Sequence, residues 1–128
     1  MPTAQVVSET AIRGPRKYLD IQKVTLSWTC TDAGVVTQTT TQALDGRIVR
    51  VEVIPGTTTA QPTDAFDMTL TNPAGYDQLY GQGADLSNVN TTVIVNVGYA
   101  ASEKLTLNIS NAGNAKSGVT VLYLAQEQ

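Results

Sequence analysis

From Lys23 to Thr31 the chain alternates its side chains without a break. Val24, Leu26, Trp28 and Cys30 fall on one side, and Thr25, Ser27, Thr29 and Thr31 on the other. A sustained period of two is the signature of a half-buried β-strand, with one face on a core and one in water. The pattern recurs in Phe66, Met68 and Leu70, and again in Leu105, Leu107 and Ile109. It recurs a third time where Val49, Val51 and Val53 oppose Arg50 and Glu52. No stretch carries the 3.6-residue period of an amphipathic helix, which excludes strands alternating with long helices. About seven or eight short strands, with turn signals roughly every 8–12 residues, predict an all-β fold. The architecture expected is an antiparallel β-sandwich or a barrel-like relative, jelly-roll or Ig-like.

The segments around these strands set the organisation. Residues 1–16 show no sustained period and end at Gly14-Pro15, which reads as an extended N-terminal arm. A single sandwich domain is expected over 17–128. Its first strand region, Tyr18 to Thr31, changes parity near Gln22 and predicts a bulge or bend there. Val35 to Gln42 is rich in Thr and Gln, has little to bury, and reads as an edge strand or one lying against another subunit. Leu44-Asp45-Gly46 is a hairpin signal. Asn72-Pro73 offers a helix start and Gly81 a stop, so one short helical turn is expected near 73–80. The last strand, Gly118 to Ala125, is apolar at both parities and is expected to be covered on both faces.

Composition narrows the chemistry. In 128 residues there is no His and one Cys, so the usual groups for acid–base, nucleophilic and metal chemistry are scarce. Cys30 shares parity with Val24, Leu26 and Trp28 and reads as a small buried hydrophobe. Asp64, Asp67, Asp77 and Asp85 bracket loops that could hold Ca²⁺, but their spacing matches no calcium loop and Asp is a common turn residue. Neither a cofactor nor a catalytic constellation is expected. A net charge of −3 argues against a nucleic-acid surface, and no apolar run approaches a membrane span. The N-terminus has no apolar h-region, so synthesis in a cytoplasm is the expectation. Charge is uneven: Arg13, Arg16 and Lys17 are basic, whereas no Lys or Arg occurs from Val51 to Glu103. The basic group is either an ordinary solvated cluster or a docking segment for an acidic surface. An interaction protein is the class left standing.

A resemblance sharpens that class. Ile48-Val49-Arg50-Val51, Ile54-Pro55-Gly56, Pro62 through Leu70, Gly75-Tyr76-Asp77-Gln78-Leu79 and Gly81-Gln82-Gly83-Ala84 together resemble small head proteins of tailed bacteriophages. The likeness covers roughly residues 22–92, including Gly46 and the Trp28 strand, and rests on turns and alternation. It implies a capsid decoration, or cement, subunit. Such a protein would be made in a bacterial host and sit on the outside of the virion, bound to the major capsid protein and to copies of itself. A trimer would be favoured over a dimer, with Arg13, Arg16 and Lys17 as the docking residues of the arm. The alternative from another class is a carbohydrate-binding or fibre-adhesion sandwich. It would use Tyr76, Tyr80 and Tyr99, which lie on or near loops.

Overall fold

The computed structural model describes residues 6–13 and 19–127, with side-chain environments for residues 21–125. Nine strands form two antiparallel sheets, as the alternation requires: β1 (Val6–Arg13), β2 (Leu19–Thr29), β3 (Val36–Thr39), β4 (Leu44–Pro55), β5 (Asp67–Thr71), β6 (Thr92–Ile94), β7 (Tyr99–Glu103), β8 (Thr106–Ser110) and β9 (Ser117–Glu127). The larger sheet runs β1-β2-β9-β4, and β4 is flanked on its far side by β7 near its start and β6 near its end. The smaller sheet runs β3-β8-β5. The expected all-β sandwich is the fold.

The core lies between the sheets and is built from one parity of each strand. The large sheet contributes Val24, Leu26 and Trp28, then Thr120, Leu122 and Leu124, then Ile48, Val51 and Val53, all buried. The small sheet answers with Val36, Leu107, Ile109, Phe66, Met68 and Leu70. Trp28 and Phe66 meet across the gap with ring centroids 6.0 Å apart and planes tilted by 56°, a favourable edge-inclined aromatic pair. Trp28 also donates its indole N–H to Thr120 Oγ1 at 3.1 Å, so the one polar atom of that ring is satisfied inside the core.

Several local expectations change. β2 pairs without a register shift from Leu19 to Thr29, so its parity does not change at Gln22. Gln22 instead occupies a buried core-side position, and its Oε1 has no hydrogen-bond partner. The bulge falls in β4, where the register with β9 slips between Ile48 and Arg50. That extra residue puts Ile48 in the core and leaves Val49 only partly covered. Leu44-Asp45-Gly46 is no hairpin turn: it opens β4, and Gly46 (φ 127°) accompanies a pairing irregularity with β7.

Residues 73–80 form hydrogen-bonded turns and not a helical one. Asn72 caps them from outside the helical register: its carbonyl accepts from Gly75 N at 2.9 Å and its Oδ1 from Tyr76 N at 2.9 Å. The single helical turn among the described residues is a 3-10 turn at Thr58–Ala60. The expected arm is extended over Val6–Arg13, but it is laid in register along β2, from Val6 opposite Thr29 to Arg13 opposite Gln22. β3 is an edge strand, as its composition predicts. β9 is the central strand, and Val121 on its outward parity is only 5% exposed.

Candidate functional sites on the sandwich surface

The acidic loops are built for structure. Asp77 accepts Leu70 N (3.1 Å) and Leu79 N (3.0 Å) on Oδ1 and Gly81 N (3.0 Å) on Oδ2, closing the turn back onto β5. Asp67 accepts Asp85 N at 3.0 Å and the Asn111 side-chain amide at 2.7 Å, and these donors hold its carboxyl below the ordinary carboxylate range. Asp64 accepts Asn88 N at 3.3 Å. Asp77 thus caps its own turn, while Asp64 and Asp67 tie distant loop segments together. No group of three or more His, Cys, Asp or Glu among the described residues converges in a way that could hold a metal ion. Cys30 is fully buried, and burial pushes its thiol up to about 11, so it is inert as a nucleophile at neutral pH.

Of the basic residues expected to dock, Arg13 ends β1 opposite Gln22, while Arg16 and Lys17 lie outside the described residues. What the large sheet presents outward is more informative. On the outward face of β4 and β9, Arg50 and Glu52 form an ion pair at 2.7 Å, Tyr123 donates to Glu52 Oε1 at 3.4 Å, and Lys23 sits 5.8 Å from the Tyr123 ring centre. Val121, opposite Glu52 in register, is buried on this same face. Beyond these residues the face turns apolar. Ile54 on β4 is 39% exposed, Val93 on β6 47%, and Val95 just after it 44%. Val119 lies beside Ile54 in register. A cleft of about 320 Å³ opens at this end, lined by Ser27, Trp28, Ile54, Pro55, Gly118 and Val119. Its floor can reach Trp28 because residue 118 has no side chain: a Cβ there would stand 2.5 Å from Trp28 Cζ2.

The second surface feature is a group of tyrosines that the sequence places only as separate loop residues. Gln78, 94% buried, is their common frame: its Nε2 donates to Tyr76 O at 3.4 Å, and its Oε1 accepts Tyr99 N at 3.2 Å. Its own backbone is fixed between the sheets. Gln78 N donates to Leu70 O at 2.7 Å, Gly98 N donates to Gln78 O at 2.8 Å, and Ile48 N donates to Gly98 O at 3.0 Å. Gly98 is required at that junction, since a Cβ would collide with Gln78 Oε1 and come within 3.0 Å of the Tyr80 hydroxyl. Tyr76, Tyr80 and Tyr99 stand 71%, 62% and 59% exposed around this frame. The sequence signal that could have grouped them is the Tyr-Asp-Gln-Leu-Tyr spacing, but the partner segment around Gly98 is distant in the chain.

No protein-family model matches the chain, and no curated protein matches it.

Proposed function

We propose that this chain is a structural virion protein. In this reading it is a capsid decoration, or cement, subunit that binds the outer surface of the major capsid protein shell and stabilises it, acting as a homo-oligomer, with a trimer favoured. Two lines support the reading: the resemblance over residues 22–92, and the outward face of the large sheet. The second carries it. A sheet that buries one face on its own core ordinarily turns polar on the other, yet here Ile54, Val93, Val95 and Val119 continue an apolar strip beside a cleft. Apolar strips with a polar rim are what protein partners cover. Lys23, Arg50 and Glu52 supply that rim. A repeated lattice of identical sites lets contacts that are individually modest add by avidity.

The test is co-sedimentation of the purified chain with heads lacking decoration. Binding at a fixed stoichiometry is the expected outcome, and its loss on Val93→Glu or Ile54→Glu assigns the contact to this face. Deleting the first 17 residues is a poor probe of the arm, because it also strips β1 from β2. Reversing the charges of Arg13, Arg16 and Lys17 probes docking without deleting β1. Heads that never retain the wild-type chain would refute the reading.

A further inference from the structure

We propose that Gln78 locks a seam between the two sheets, so that the cover of β5 (residues 76–86) and the edge segment 96–103 open and close as one unit. The inference stands apart from the capsid reading. It starts from a continuous run of backbone hydrogen bonds. Gln78 N donates to Leu70 O on β5 at 2.7 Å, Gly98 N donates to Gln78 O at 2.8 Å, and Ile48 N on β4 donates to Gly98 O at 3.0 Å. The run leads from the small sheet, through residues 78 and 98, to the large one. Sheets packed face to face are ordinarily joined by the side chains of their shared core. On this side the backbone itself closes the gap, in the manner of a barrel.

The side chain of Gln78 strengthens the same link. It is only 6% exposed, its Oε1 accepts from Tyr99 N on β7, and its Nε2 donates to Tyr76 O in the cover. One amide group thus holds both segments with its two ends. Gln82 Nε2 adds a second tie, donating to Asn96 O at 3.2 Å. Gly98 leaves room for the lock, because a Cβ there would collide with Gln78 Oε1.

Strain lies on both sides of the seam. Tyr80 (φ 54°) and Asp85 (φ 55°) in the cover, and Asn96 (φ 60°) and Ser102 (φ 54°) in the edge segment, hold left-handed backbones. Each is a local cost that persists only while its surroundings enforce it. Neither segment has a long ladder of its own. β7 pairs with β4 alone among the described strands, with an irregularity between Leu44 and Gly46, and the cover contains no strand. β2, β9 and β4, by contrast, are paired over most of their length. The seam therefore yields before the central strands do, and its release bares the outer backbone of β5 and the β7 end of the large sheet in one step.

The experiment is amide hydrogen exchange on the full chain, followed by nuclear magnetic resonance at low denaturant concentrations. In the wild type, the protected amides of residues 76–86 and 96–103 should share one opening free energy and one denaturant slope, both below those of Val24 and Leu122 in the central strands. Opening free energies that differ between the two segments, or that equal those of the central strands, overturn the proposal. Gln78→Ala should speed exchange in both segments by the same factor, about tenfold or more, and leave β2 and β9 little changed. Acceleration of one segment alone, of neither, or of the whole chain uniformly overturns it. Gly98→Ala, which drives a methyl group against Gln78 Oε1, should speed both segments in the wild type and add less in the Gln78→Ala background. Equal effects in the two backgrounds would remove Gln78 as the lock.

Discussion

Two buried residues give the sharpest tests at the scale of the single side chain. Thr120 is fully buried, accepts the Trp28 indole N–H, and lies with its Oγ1 3.3 Å from Met68 Sδ. Thr120→Val keeps the shape but strands the indole donor, so chemical denaturation should show a loss of about 1–3 kcal/mol. Thr120→Ser, which keeps the acceptor, should lose less. Cys30 gives a pH signature. Its unfolded thiol loses a proton near 9.0, while the folded one keeps it to about 11. Between those values the unfolded state binds fewer protons, so stability falls as pH rises. The wild type should therefore lose stability relative to Cys30→Ala across that window, and thiol reagents should react only once the chain unfolds. The sequence makes Cys30 legible because parity assigns it to the core. It misassigns Gln22, because a polar side chain at an inward position looks the same as a slip in register.

At the scale of the element, the chain protects the outer edge of β5. The outer edge of β5 is occupied by its own following loop: Gln78 N bonds Leu70 O, Met68 N bonds Gly83 O at 2.7 Å, and Leu86 N bonds Phe66 O at 2.7 Å. Gly83 makes this possible, since a Cβ there would drive into Met68 O. Gly83→Ala should cost about 1–3 kcal/mol and loosen the loop, read as faster amide exchange over residues 76–86. Asp67 fastens the same strand from the other end. Its carboxyl is held low in the fold, so its contribution is present above the unfolded value of 3.8 and lost as pH falls through the folded one. Asp67→Asn should flatten the acid limb of the stability curve. These elements show what alternation can and cannot disclose. Phe66, Met68 and Leu70 reveal β5 directly. The bulge at Ile48–Arg50 does not show, because Val49, Val51 and Val53 form an equally good period and only pairing with β9 selects Ile48. The helical turn expected near 73–80 fails for a related reason: Asn72 and Asp77 satisfy the backbone amides as turns, and no apolar stripe rewards a helix.

For the whole molecule, the sandwich and its central last strand follow from the sequence, since β9 is apolar at both parities and only a flanked strand needs that. The candidate surfaces were less legible. Gln78 joins the backbone of Tyr76 to that of Tyr99, a contact between distant segments that no local spacing announces. Of the basic residues, Arg13 ends β1 beside Gln22, and Arg16 and Lys17 lie outside the described residues. Charge reversal at Arg13, Arg16 and Lys17 should lower head occupancy by turning an attraction into a repulsion; sedimentation at two salt concentrations reads this, since added salt screens both, lowering wild-type occupancy and raising that of the reversed variant. The position of β9 carries one more consequence. Its neighbours β2 and β4 are both made earlier, and each pairs with it along most of its length. On an emerging nascent chain these two strands have no common partner until Ser117–Glu127 leaves the ribosome. A message cut short before Ser117 would therefore release not a weakened sandwich but two long open templates, and truncated products should be found in inclusion bodies.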